Sequence, residues 1–193
     1  MIIAHLAKIA VFATGGIGGV HRGAEKTFDI SADLEELART NVCVVCAGAK
    51  AILDIGLTLE YLETKGVPVI GYKTSELPAF YSSKSGFNVD YRVDSAIDIA
   101  EILKTKWSLS IEGGVLVTNP IPKKFELELV IMNEAIKEAI IEADKEKITG
   151  KEITPYLLSK VNELTQGKSL NANIKLIQNN AVLAAKIAMH FLR

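Results

Sequence analysis

The run Val42-Cys43-Val44-Val45-Cys46 is apolar throughout and stops at the small residues Ala47-Gly48-Ala49 before Lys50. An apolar stretch so short and so bounded reads as a buried strand. Comparable runs at 9–13, 67–70, 89–93 and 115–117 alternate with stretches of helical character. Strands separated by helices predict an α/β fold with a largely parallel sheet flanked by helices. Helices are expected from Asp33, over about 51–65, and from Asp94 to about Trp107. The last third reads as helix alone, over about 126–147, 155–165 and 170–192. Asp33 with Glu36 looks like a capping pair, Asp94 like the cap of its own helix, and Gly66 like a helix stop. No repeat or linker divides the chain, which reads as one domain over residues 1–193.

Charge narrows the function. A formal net charge of -1, with no basic run, offers no field for nucleic acid, so any phosphate must be held by a local site. The two cysteines, Cys43 and Cys46, are spaced C-x-x-C, but positions three apart on a strand face opposite ways. They read as two core thiols rather than a redox pair or half a zinc site, and free thiols favour a reducing compartment. Neither a signal peptide nor a span of about 18 apolar residues is present, which makes the cytoplasm the expected location and a membrane an unexpected partner. An amphipathic segment over residues 2–9 feeds the first strand with no capping residue before it, a first, weak hint of a truncated start.

Ligands of open α/β sheets bind beyond the carboxyl ends of the strands. Three loops at such ends, 14–33, 47–50 and 118–122, therefore hold the candidate chemistry. The first, Thr14-Gly15-Gly16-Ile17-Gly18-Gly19, can turn backbone N–H groups toward a phosphate. It matches neither the dinucleotide fingerprint nor a Walker A loop. Lys50 follows a buried strand and three small residues, so its amine is expected in a confined place. Desolvation there favours the neutral form, the one that attacks a carbonyl and forms an imine. Asp29 and Asp33 supply carboxylates, and one hard cation can be held by a single carboxylate and waters. Asn173 and the pair Asn179-Asn180 could present amides inward, to a ligand hydroxyl or to the core. The loop 73–87, with its Ser82-Ser83-Lys84-Ser85-Gly86 tract, reads as mobile or ligand-covering.

Several long motifs then fall into one order. Thr14 through Glu25, Thr27 through Leu34, and Val44 through Lys50 closely resemble the pseudouridine-5′-phosphate glycosidase family, also called the indigoidine synthase A family. Leu62-Glu63-Thr64 with Gly66-Val67-Pro68, Leu77-Pro78-Ala79-Phe80 and Asn119-Pro120-Ile121-Pro122 add to the resemblance. So do Gly150-Lys151-Glu152 with Thr154-Pro155, and Ser169-Leu170 with Asn173.

The resemblance implies reversible cleavage of the C–C glycosidic bond of pseudouridine 5′-phosphate to uracil and ribose 5-phosphate. It assigns Lys50 as the nucleophile, Asp29 as the Mn²⁺ carboxylate, and Ser31, Ala32 and Asp33 as the substrate-binding stretch. Thr14, His21 and Asn173 match pocket positions. It further implies a homotrimer whose substrate comes from a pseudouridine kinase. Family members extend further at the N-terminus, where a general-acid glutamate and a substrate-binding lysine reside. Neither has a counterpart here, so a C-terminal portion with little uracil release of its own is expected. A lysine-imine aldolase or lyase on another sugar phosphate, or an inactive ligand-binding remnant, are the alternatives.

Overall fold

The computed structural model describes residues 1–148 and 152–193; the Gly150-Lys151 part of the family-like stretch lies outside them. Helix α1 (Ile2–Leu6) leads to strand β1 (Val11–Ala13), which is followed by the glycine-rich loop and the short strand β2 (Val20–His21). Helices α2 (Ala24–Thr27) and α3 (Ala32–Arg39) come next, then β3 (Cys43–Cys46), β4 (Leu53–Asp54) and α4 (Ile55–Thr64). Strands β5 (Val69–Tyr72) and β6 (Tyr91–Val93) precede α5 (Ala96–Ser108), and β7 (Val115–Thr118) precedes α6 (Leu129–Lys145), α7 (Ile153–Leu164) and α8 (Lys168–Phe191).

Five strands form one parallel sheet in the order β1-β3-β7-β5-β6, as the alternation of strands and helices requires. Because the strands are parallel, the loops after β1, β3, β5 and β7 all leave the same edge. β2 and β4 form a separate antiparallel pair.

The central strands are apolar at every position because both faces of the sheet are covered. Val44, Cys46, Leu116 and Val69 face one layer, packed by α3, α4, α6 and α7 through Leu37, Leu62, Ile136 and Leu157. Cys43, Val45, Val115, Val117 and Ile70 face the other, packed by Ile99 and Leu103 of α5 and by Leu183 and Ile187 of α8. The two thiols thus belong to opposite layers, and both are free. Helix α8 is long enough, at 24 residues, to serve both: Ala172 and Leu176 lie in the first layer, Leu183 and Ala184 in the second.

Four local expectations change. The stretch after Lys50 makes β4 before its helix starts, with Asp54 accepting from the Leu57 N–H as the cap. Ser95, not Asp94, caps α5, its hydroxyl accepting from Asp98 N at 3.1 Å; Asp94 instead pairs with Arg92 at 3.0 Å. The middle of loop 73–87 is seated in the core, with Leu77, Pro78, Ala79, Phe80, Tyr81 and Ser82 all buried, while Lys73, Ser75, Lys84, Gly86 and Phe87 are exposed. The fourth change concerns Asp33 and belongs to the site.

Candidate active site

Lys50 owes its position to a ladder that outlasts its strands. Beyond the end of β1 and β3, Ala47 N donates to Gly15 O at 2.9 Å, Ile17 N to Gly48 O at 3.1 Å, and Lys50 N to Ile17 O at 3.1 Å. The glycine-rich loop and the Lys50 turn are therefore one bonded unit. Only glycine fits its closest contacts. Gly48 has φ +89°, and a Cβ there would stand 2.0 Å from Pro78 O. A Cβ at Gly18 would stand 2.1 Å from Ser31 Oγ.

The same loop folds back on the start of α3. Ser31 N donates to Gly19 O at 3.0 Å, and Ser31 Oγ accepts from Asp33 N at 3.3 Å, making Ser31 the cap of α3. Asp33 is thereby freed from the capping role its sequence position suggested. Its Oδ2 accepts from Gly18 N at 2.7 Å and ties the glycine-rich loop to the helix. Ala32 is the first residue of α3, and its N–H makes no bond to the backbone or a side chain among the described residues. A helix N-terminus with an unused N–H favours an anion.

His21 and Asp29 sit across a narrow hairpin, with His21 N donating to Asp29 O at 3.0 Å and His21 Nδ1 3.8 Å from Asp29 Oδ2. His21 pairs with Leu53 in the β2–β4 ladder, three residues from Lys50. A cavity of about 190 Å³ lies between this hairpin, with His21 and Asp29 on one wall, and α6 and α7, with Ile140 and Leu157 on the other. A second cavity of about 300 Å³ adjoins Ala51, Ser82 and Asn133, and Arg22 borders both. Lys50 lines neither, so the amine and these hollows are neighbours along the chain rather than one enclosed chamber.

Helix α8 closes the edge from outside the sheet. Fully buried Asn180 donates through Nδ2 to Thr14 O at 2.8 Å and Gly15 O at 3.3 Å, and its Oδ1 accepts from Asn119 Nδ2 at 3.1 Å. Asn119 N in turn donates to Cys46 O at 2.8 Å. The ends of β1, β3 and β7 are thus fixed by two amides, and the Asn180 amide serves the core. Asn179 donates to Pro120 O. Asn173, two turns earlier, has a buried Oδ1 with no partner among the described residues, and a Cβ at Gly15 would stand 3.1 Å from it. An orphaned acceptor facing the glycine-rich loop costs stability unless something binds it.

Among the described residues no group of three or more His, Cys, Asp or Glu side chains could hold a metal. Asp29, half-buried beside His21, fits a divalent ion only in the sparse mode of one carboxylate, or one carboxylate and an imidazole, completed by water. No helix of the described residues is long and apolar enough to cross a membrane.

Sequence reasoning placed Asn119 in a strand-end loop but not its bond to Asn180, and it missed the way loop 73–87 reaches this edge; these partners lie far along the chain.

Residues 1–190 match the family described as indigoidine synthase A like protein. The chain belongs to that family. It is 66% identical over 188 residues to a pseudouridine-5′-phosphate glycosidase of Geobacillus kaustophilus (strain HTA426), covering 97% of this chain and 62% of that protein. The protein of the same name from Escherichia coli (strain K12) is 60% identical over 193 residues, covering 100% and 62%. Among solved structures, the prealnumycin C-glycosynthase AlnA in complex with ribulose 5-phosphate superposes with a TM-score of 0.92 at 39% identity, covering 98% of this chain and 63% of that one. An indigoidine synthase A-like protein from Thermotoga maritima gives 0.91 at 35% identity, covering 100% and 63%. The chain thus spans about 62% of the length of the curated relatives it matches.

Proposed function

We propose that this family member carries the sugar-phosphate side of a C–C glycosidase site for pseudouridine 5′-phosphate, with Lys50 as the imine-forming nucleophile. One observation carries the reading: the Lys50 turn is bonded, residue by residue, to a glycine-rich loop that also contacts the α3 N-terminus and the orphaned Asn173 amide oxygen. The names of the relatives and the ribulose 5-phosphate held by the structural neighbour support the same substrate class.

In this mechanism the neutral Lys50 Nζ bonds to C1′. The C1′–O4′ bond breaks and O4′ leaves as a hydroxyl. The C1′–C5 bond then breaks, its electron pair staying on uracil C5, which takes up a proton. The amine nitrogen gives up two protons and becomes the imine of ribose 5-phosphate, which water cleaves to aldehyde and free amine. Ser31, Ala32 and Asp33 bind the substrate at the head of α3. Asn173 and Thr14 bind sugar hydroxyls, and His21 orients Asp29. Asp29 would hold one divalent ion, with Mn²⁺ favoured, supplying positive charge beside the sugar phosphate.

The assembly we propose is a homotrimer in the cytoplasm, fed by a kinase that phosphorylates pseudouridine. The resemblance alone supports these last points.

Borohydride reduction in the presence of ribose 5-phosphate tests the nucleophile. Peptide mass analysis is expected to find the sugar adduct on Lys50 and none in Lys50→Ala. An adduct on another lysine, undiminished in Lys50→Ala, overturns the assignment. Metal binding is tested by titrating Mn²⁺ into the protein and Asp29→Asn; equal affinity would place the ion elsewhere.

A further inference from the structure

We propose that Glu126 is a positioning residue for Lys50, acting through the strap Pro78–Ser83. The inference rests on the reading of Lys50 as the reactive amine. Glu126 lies just after the 3₁₀ turn Lys123–Phe125, far from Lys50 in sequence. Its Oε1 accepts from Ser83 N at 2.7 Å, Ser83 Oγ at 2.7 Å and Ser82 Oγ at 3.1 Å. The next residue extends the clamp, Leu127 N donating to Tyr81 O at 2.9 Å.

The clamped strap lies on the two turns that define the site. Phe80 N donates to Ala47 O at 3.0 Å, three residues before Lys50. The Phe80 ring is packed so closely on Gly16 that a Cβ there would stand 2.6 Å from it. Pro78 O abuts Gly48 in the same way. Phe80 itself has φ +62°, a backbone conformation that costs free energy for a bulky residue and persists only where its surroundings fix it. Tyr81 packs edge-on against Phe80, with ring centroids 4.6 Å apart. Glu126 gathers three donors from the residues that follow Phe80 and Tyr81, and so supplies the restraint on that backbone.

The charged carboxylate matters because one oxygen accepts all three bonds. Glutamine keeps a carbonyl acceptor of similar reach, whereas alanine leaves Ser83 N and two hydroxyls to water. The strap then loosens, and the Ala47–Lys50 turn loses the Phe80 N–H that fixes it from above.

The test compares the chain with Glu126→Gln and Glu126→Ala by two readouts that need no catalysis. One is backbone hydrogen exchange across residues 47–50. The other is the rate of Lys50 acylation by a water-soluble amine-reactive ester, referenced to exposed Lys186. Glu126→Ala is expected to speed both by on the order of tenfold, with Glu126→Gln intermediate. A lower melting temperature with exchange at 47–50 and Lys50 acylation unchanged would make Glu126 a brace for its own loop and overturn the proposal. If Glu126→Ala fails to fold, Glu126→Gln decides between the same two outcomes. Borohydride trapping of ribose 5-phosphate on the same variants forms a separate arm. An untrappable parent chain counts against Lys50 as the nucleophile, while exchange and acylation still decide the role of Glu126.

Discussion

Asn180, fully buried, satisfies two backbone carbonyls and a second amide with one side chain. Asn180→Ala leaves Thr14 O, Gly15 O and the Asn119 amide without their partner in the core. The expected loss is about 3 kcal/mol in urea denaturation, since orphaned buried polar groups bear their full desolvation cost. A variant as stable as the parent would remove the amide relay from the account of the site. Glu126 makes a prediction in pH. Burial works to raise its pKa, but the Ser83 N–H, the Ser83 and Ser82 hydroxyls and nearby Lys123 outweigh burial and hold the carboxyl below its usual value. A depressed native value means the stabilisation is complete above the unfolded carboxyl's pKa, about 4.3, and is lost as pH falls through the native one. Glu126→Gln should therefore be less stable than the parent at neutral pH, by ~1 kcal/mol after solvent screening, and the gap should close toward pH 3. Melting temperatures from pH 3 to 7 check both halves.

At the scale of elements, the start of α5 separates two acceptors one residue apart. Ser95→Ala removes a hydroxyl bonded to Asp98 N and should cost about 1 kcal/mol in thermal melts. Asp94→Ala removes only a surface pair with Arg92, whose side chains are 65% and 50% exposed, and should change little. The reverse order would restore Asp94 as the cap. This one-residue error shows what a sequence makes legible. β3 could be read directly because its cause is local, an apolar run bounded by three small residues, whereas the Lys50 turn is set by Gly15, Ile17 and Phe80, far from it along the chain. Caps were harder, since Asp33 and Ser31 are both good N-caps and only the Gly18 N–H decides which one is drawn away. The firm seating of loop 73–87 was illegible for another reason. Its serines and glycine look solvated until Glu76 accepts from Ser85 N and Glu126 from Ser83 N, and those carboxylates are 9 and 43 residues distant. The amide relay spans up to 166 residues, beyond any local pattern.

At the scale of the molecule, one parallel sheet separates two apolar layers, and α8 crosses from one to the other past the edge that bears the site. Each layer holds one thiol of the C-x-x-C run, and burial pushes both up, Cys46 to about 12 and Cys43 higher, so both stay protonated. Native protein should resist iodoacetamide at both positions, because the thiolate is the reacting form. Alkylation of either thiol without denaturant would contradict their burial. Partial denaturation makes the arrangement informative, because a thiol becomes reactive only when its own side of the sheet is uncovered. Among the described residues the apolar layer that holds Cys43 is the smaller of the two, so Cys43 should be alkylated at the lower urea concentration; simultaneous labelling would mean that both layers part as one cooperative unit. Four residues of strand thus give the protein a two-channel recorder, and pulses of light and heavy reagent would write the order of its unfolding into the fragment masses of a single peptide.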